Sequence, residues 1–356
     1  MTNYQLYVTT EKAKQPKQTF FEEFSHPTPR ITEMEISTAD LNDAANNFDV
    51  ALITIGRNAG EGSDRKIEND FNLKSNEMQL ITNVSNAFHA KHKKVILILN
   101  TGGVVETASW RDKVDAILLS WQPGMEAGNA VADILSGKVN PSGKLATTFP
   151  IKYDDEITAK NFPGKEFKDQ ATTGMMGMPM IPAEVIYEEG VFVGYRYYNS
   201  FNVKPAYEFG FGLSYTTFDY SNLKISSPTF DGQLNATISV TNKGKMAGQE
   251  VVQIYLSAPT SELQKPAEEL KGFAKTRLLQ PGESQQITFT LLPKDLSSFN
   301  TSRTAWIADA GKYEIKIGAS SSRIMLKGEF NLTKNLVVEK TTKSLVPSVS
   351  INELKK

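Results

Sequence analysis

The residues best suited to chemistry lie in one stretch, Gly56-Arg57-Asn58-Ala59-Gly60-Glu61-Gly62-Ser63-Asp64-Arg65. Glu61 stands between two glycines, so no neighbouring side chain crowds it and the backbone can bend sharply around it. A mobile, exposed carboxylate of this kind suits a general acid that must reach a leaving-group oxygen. The competing reading is an ordinary solvated loop glutamate, and spacing alone favours that one. Asp64 and Arg65 read as a local ion pair that anchors the loop. The glycines could also suggest a nucleotide site. Their spacing does not fit G-x-G-x-x-G, however, the next helix signal starts near residue 75, and no P-loop Lys-Ser/Thr follows.

Other candidates are weaker. His89 and His92 sit i, i+3 at a helix end, which is compatible with a metal, but no third ligand is evident and the surrounding lysines oppose a cation. A solvated helix face is the better reading, and no metal or other cofactor is expected. With no cysteine in the chain, disulfides, thiolate metal sites and a Cys nucleophile are excluded. His26 has no motif around it, so a Ser-His-Asp arrangement has no support. Trp110 and Trp121 could stack on a sugar, yet both lie near strand ends, where core packing is commoner. The aromatic run from Tyr187 to Phe218 could form a carbohydrate-binding wall, with packing between domains as the stronger reading.

The elements that must hold these residues fall into two classes. Residues 50 to 55 form a short apolar run ending at Gly56, which suits a strand covered on both faces. Ser75 is a good helix N-cap, and Met78, Ile81, Val84 and Phe88 follow on one helical stripe that ends in the basic run HAKHKK. Further strands run from Val95 to Leu99 and from Ala116 to Leu119. A second helix carries Ala127, Ala130, Val131, Ile134 and Leu135 on one side and stops at Gly137. Strands alternating with helices imply a parallel α/β sheet, whose function belongs in loops at the carboxyl ends of the strands. Glu61 is in such a loop.

From residue 216 to about 333 the period changes to two. Leu234, Ala236, Ile238 and Val240 alternate with polar neighbours, as do Ile287, Phe289 and Leu291, then Tyr313, Ile315 and Ile317. Turn signals lie between them, so a β-sandwich of immunoglobulin or fibronectin III type is expected. The fold class is therefore α/β plus all-β. The expected division is an α/β domain over 1–160, a Gly- and aromatic-rich connecting segment over 161–215, the sandwich over 216–333, and a fraying polar tail over 334–356.

Composition limits the partners. Lys and Arg number 39 against 40 Asp and Glu, a net charge of -1, which gives no field for phosphate and argues against nucleic acid. No apolar run approaches the ~20 residues of a membrane span. The polar N-terminus shows no signal peptide, which with the lack of Cys favours the cytoplasm slightly over export.

Four separated segments, in order, carry a resemblance: GRNAGEGSDR, LNTGGVVETASWRDKVDAILLSWQPGMEAGNAVADILSGKVNPSGKLATTFP, VIYEEGVFVGYRYYNSF and YEFGFGLSYTTF. Together they resemble glycoside hydrolase family 3, in particular bacterial β-glucosidases with an α/β-sandwich domain followed by a fibronectin III-like domain. The resemblance implies that Glu61 is the general acid/base of a retaining hydrolase acting on a β-linked oligosaccharide or glucoside. It also implies a nucleophilic Asp in a Ser-Asp-Trp-like motif of an N-terminal (β/α)8 barrel, about 5–5.5 Å from the acid/base. This chain has neither that motif nor the length for such a barrel. Residues 1 to 45 carry only weak strand and helix signals, so the opening βαβ part of the α/β domain is expected to be missing as well. Arg57 and Asn58 border the loop and could touch sugar, but the resemblance does not assign them. The expectation is a C-terminal portion of a β-glucosidase that needs a barrel from elsewhere and is inactive alone. The alternative is a non-catalytic carbohydrate-binding or structural module.

Overall fold

The structure is a computed structural model that describes residues 2–20, 22, 31–57, 64–174, 177, 179–344, 346–347 and 349–356. The chain divides into two compact units. The first comprises residues 1–131, 151–153 and 166–182, and the second comprises 132–150, 154–165 and 183–356. The connecting segment is thus shared between the units rather than forming a piece of its own.

The first unit is α/β. It holds α1 (Thr2–Lys14), α2 (Thr38–Asn47), β1 (Val50–Arg57), α3 (Ser75–His89), β2 (Lys94–Thr101) and β3 (Ala116–Leu119). The helices described before β1 show that the weak signals of residues 1–45 understate its order. Helix α2 starts at Ser37, whose hydroxyl accepts the Asp40 N–H at 3.1 Å, and it buries Leu41 and Ala45. The three strands are parallel in the order β1-β2-β3, with Val50 opposite Lys94 and Ile96 opposite Ala116.

One face of this sheet is packed. Ala51, Ile53 and Ile55 of β1 join Val95, Leu97 and Leu99 of β2, with Ile81, Val84 and Phe88 of α3 and Leu41 and Ala45 of α2. The other face is open along β1, where exposed and buried residues alternate strictly and Val50 and Leu52 are 43% and 55% exposed, whereas Ile98 of β2, opposite Thr54, is buried. The continuous apolar run had suggested cover on both faces, and this expectation fails. A run of Val, Leu and Ile records what a strand can be covered by, not whether the cover is present.

Helix α3 also differs at its start. Ser75 is the first helical residue, and extended Lys74 precedes it. The Glu77 carboxylate reaches back to accept the Lys74 N–H at 2.8 Å, which replaces a hydroxyl cap. The basic run after α3 is engaged on both sides. Lys93 donates to the Phe48 carbonyl at the end of α2, at 2.7 Å, while His89 and Lys94 converge on Asp115 at 2.9 and 2.7 Å. Those contacts, with the Val95 N–H, hold the Asp115 carboxyl well below the usual carboxylate range. Helix α4 (Ala127–Leu135) buries none of its residues fully, and its apolar positions Val131, Ile134 and Leu135 remain half-buried.

Four two-residue strands follow, β4 (Lys165–Glu166), β5 (Thr172–Thr173), β6 (Pro179–Met180) and β7 (Ala183–Glu184), then helix α5 (Tyr195–Ser200). The second unit is built on antiparallel strands β8 (Phe218–Ile225), β9 (Leu234–Asn242), β10 (Val251–Ser257), β11 (Glu269–Lys275) and β12 (Ser284–Leu291). The short helix α6 (Pro293–Leu296) then leads to β13 (Ser298–Asn300), β14 (Ala305–Ala308), β15 (Gly311–Gly318), β16 (Ile324–Leu332) and β17 (Leu336–Lys340). The two sheets of the sandwich run β11-β10-β15-β16 and β12-β9-β8, and β13-β14-β17 form a third, smaller sheet. Period-two residues from both fill a single core, in which Tyr313 and Phe330 stack at 5.2 Å. This is the sandwich that the alternating pattern specifies. The final stretch does not simply fray. Strand β17 pairs with β14, and farther on the Leu354 N–H donates to the Glu188 carbonyl and the Lys356 N–H to Gln264 Oε1, both at 2.6 Å.

The aromatic segment packs within this second unit. Tyr195 stacks on Phe209 at 4.8 Å and accepts the Leu270 N–H at 2.7 Å, while Asn199 bonds Glu268 and the Ser321 carbonyl. Gln253 donates to the Gly210 carbonyl. Tyr195 and its neighbours thus serve as packing rather than as a free sugar-binding wall.

Candidate active-site loop

Residues 58–63, and with them Glu61 and Asn58, lie outside the described residues. What is described is the frame on either side of them. Before the loop, Arg57 ends β1 with its guanidinium almost inaccessible. It donates to both carboxylate oxygens of Glu77, at 2.7 and 2.6 Å, and to the carbonyls of Gly56 and Asp70, at 2.8 and 2.9 Å. Four of its five N–H groups are therefore used by the scaffold. Arg57 is thus a structural residue of the frame.

After the loop, Arg65 plays the matching part. Its Nε and Nη2 bond the two Asp70 oxygens, each at 3.1 Å, and Nη1 donates to the Val104 carbonyl at 2.6 Å. Asp64 is exposed and is not the partner of Arg65. The expected Asp64–Arg65 pair fails because the Arg65 guanidinium is turned to Asp70 and the Val104 carbonyl. Asp70 instead lies close to both arginines, with Arg57 Nε 3.8 Å from its carboxylate. The wide turn from Ile67 to Phe71 presents it, and Asn69 within that turn takes the left-handed conformation at φ 62°.

The glycines after β2 make room for this frame. A Cβ on Gly103 would stand 2.7 Å from Arg65 Nη1, and one on Gly102 would stand 3.0 Å from the Gln122 side chain. Beside the frame, at the carboxyl ends of β1 and β2, is a polar cleft of about 650 Å³ lined by Arg57, Lys74, Asn76, Glu77, Asn100 and Gln122, among others. Glu33 also lines it. Burial first, and the nearby Glu77 charge second, hold the Glu33 carboxyl above its ordinary range.

The remaining sequence candidates fall elsewhere. Trp110 is fully buried, with its indole N–H on the Glu106 carbonyl at 2.6 Å, so it is a core residue. Trp121 follows β3 with φ 53°. His89 bonds Asp115, and among the described residues no group of three potential metal ligands forms. His26 lies outside the described residues. No helix among them is long and apolar enough to cross a membrane. Asp70 and Glu77 are the site residues that spacing did not reveal. Their partners are contributed by the turn and by α3, and only folding brings them to β1.

The parallel sheet and the following antiparallel sandwich define an α/β domain joined to a fibronectin III-like one, and the comparisons agree with that architecture. Residues 1–195 match the glycosyl hydrolase family 3 C-terminal domain, and residues 250–321 match the fibronectin type III-like domain. The chain belongs to glycoside hydrolase family 3. Residues 1–45 are part of that match, despite their weak signals. Beta-glucosidase A of Butyrivibrio fibrisolvens is 36% identical, over 89% of this chain and 41% of its own length. The thermostable beta-glucosidase B of Acetivibrio thermocellus is 36% identical over 86% of this chain and 38% of its own length. Among solved structures, beta-glucosidase 3B from Thermotoga neapolitana in complex with alpha-D-glucose superposes with a TM-score of 0.84 at 44% identity. It covers 95% of this chain, which spans 44% of that one. This chain thus spans about two fifths of the length of these relatives.

Proposed function

We propose that this chain is the C-terminal portion of a retaining β-glucosidase that hydrolyses terminal β-D-glucosyl residues, with Glu61 as general acid/base. The observation that carries the proposal is the frame of the loop. Arg57 and Arg65, on either side of residues 58–63, are both tied to Asp70, which fixes the two ends of a segment containing one carboxylate. The relatives named above, all beta-glucosidases, support the choice of substrate.

In the retaining mechanism one carboxylate attacks the anomeric carbon while the other protonates the departing glycosidic oxygen. The second group then takes a proton from water as that water displaces the enzyme from the sugar. Glu61 fills the second role. The nucleophile comes from a barrel that these 356 residues do not contain. Isolated, the chain is inactive, because one carboxylate cannot form and hydrolyse the glycosyl-enzyme. The test is turnover of an aryl β-glucoside by the pure chain, alone and mixed with a polypeptide supplying the barrel. The mixture should be active and Glu61→Gln should lower its kcat by roughly 10²–10⁴-fold. Turnover by the chain alone that Glu61→Gln abolishes would refute the division of labour.

A further inference from the structure

We infer that residues 351–356 are a detachable strap, which keeps residues 157–161 and 186–192 in order while it is seated and frees them when it lifts. All of these residues belong to the second unit. The strap is held by its backbone. The Leu354 N–H donates to the Glu188 carbonyl at 2.6 Å. At Lys356 the main-chain N–H donates to Gln264 Oε1 at 2.6 Å, and Gln264 Nε2 returns a bond to the Lys356 carbonyl at 3.2 Å. A side-chain amide offers both donor and acceptor, so Gln264 pairs with a peptide unit here as a neighbouring strand would.

The seat joins three segments that are far apart in sequence. Residues 157–161 lie against 186–188, with Asn161 Nδ2 donating to the Ile186 carbonyl at 3.1 Å and Lys160 paired with Glu188 at 3.2 Å. Residues 186–192 lead into α5, and Gln264 lies between β10 and β11. These last two segments already meet at α5, where the Ser200 hydroxyl accepts the Ala267 N–H at 2.8 Å and the Tyr195 hydroxyl accepts the Leu270 N–H. The strap therefore runs from the segment before α5 to the segment before β11 and doubles the link that α5 makes. Gly190 lets it pass: a Cβ there would stand 3.3 Å from Glu353 Oε2.

The hold is slight enough to release. Asn352, Glu353, Lys355 and Lys356 are exposed, and Ile351 and Leu354 are only half-buried. A cavity of about 350 Å³ is shared between strap and seat, lined by Ile157, Lys160, Asn161 and Glu189 and by Asn352 to Lys355. The two are thus joined at points and not packed along their length. A segment held by three main-chain bonds, with little buried apolar area, opens without the core opening. The seat is shallow as well. Lys160, Tyr187 and Gly190 are exposed and Ile157, Asn161 and Glu188 half-buried, so it has little core of its own and depends on what lies across it.

Hydrogen exchange of the full chain, compared with a chain lacking residues 349–356, tests the inference. In the full chain the Leu354 and Lys356 amides should exchange faster than those of β10 and β15. Deletion should speed exchange at Asn161 and Phe192, whose N–H groups bond the Thr158 and Glu189 carbonyls, by at least roughly 10-fold, and leave β10 and β15 unchanged. A free peptide of residues 349–356 at about 5 mM, within the range of effective concentration that a short tether provides, should restore most of the lost protection. Gln264→Ala in the full chain alters an exposed side chain, so it should keep the unfolding midpoint and speed exchange at the same two amides. Unchanged exchange at Asn161 and Phe192 in both variants would overturn the inference, because the seat would then be ordered by itself. A rise on deletion that reaches β10 and β15, with a lowered unfolding midpoint, would overturn it by making these residues part of the cooperative core. A local rise that the peptide does not reverse would refute a strap that detaches and reseats.

Discussion

Removing the Glu77 carboxylate should expose how much the frame of the loop depends on one buried pair. In Glu77→Ala, Arg57 keeps its cation in a place where its side chain is 1% exposed and loses the two charge-assisted bonds at 2.7 and 2.6 Å. Breaking a buried pair in this way costs about 3–5 kcal/mol. The low end applies, because Arg57 keeps the Gly56 and Asp70 carbonyls and lies 3.8 Å from the Asp70 carboxylate. Loss of the Lys74 N–H cap on α3 adds about 0.5–1 kcal/mol. The total is roughly 3.5–4 kcal/mol, a large part of a domain's stability. Urea unfolding followed by tryptophan fluorescence in a Trp306→Phe background isolates the α/β unit, which holds Trp110 and Trp121. A loss under about 1 kcal/mol would refute the account of the pair. So would strict additivity with Arg57→Met, since removing both charges should cost less than the two single losses combined.

The carboxyl of Glu156 should also be visible in the pH dependence of the sandwich unit. Burial raises it above its ordinary range, against the lowering effect of the Tyr198 hydroxyl that donates to it at 2.9 Å. A raised acid binds more protons folded than unfolded, so its contribution is present at low pH and is lost as pH rises from the ordinary carboxylate range through the raised value. Glu156→Gln should flatten that decline, and equal slopes for variant and wild type in urea titrations would contradict the assignment. Gly103→Ala should act through Arg65, whose Nη1 would stand 2.7 Å from the new methyl. Complemented turnover should fall by up to roughly 10²-fold as the loop shifts, with substrate affinity of the complex less affected. Unchanged kcat would show that Arg65 does not position the loop.

The periodicities carried much of the fold. Alternation at Leu234, Ala236, Ile238 and Val240 became β9 with alternate residues buried, and the apolar runs became the three parallel strands. Such patterns are legible because each depends on local geometry, a period of two or a run of strand formers. The frame of the loop was not legible for the opposite reason. Arg57 and Glu77 are twenty residues apart, and Arg65 chooses Asp70 over adjacent Asp64, choices set by the turn at Asn69 and by the start of α3. Likewise nothing in Val50 to Ile55 reports whether a second layer is present. Glu61 itself was raised above a solvated loop residue by the surrounding family segments, and its role stands as a proposal.

Asp70, which ties both ends of the loop, also sets a mechanical limit. Seven virtual bonds from Arg57 to Asp64 span at most about 25 Å of contour, at roughly 3.5 Å each. With both ends held, the middle of such an arch can stray only about half that distance from its footings. Whatever path residues 58–63 take, Glu61 cannot travel to a distant nucleophile. Under the function proposed above, the partner has to bring its carboxylate within arm's length of a fixed point, so the active site would be assembled by transport of the barrel and not by extension of the loop.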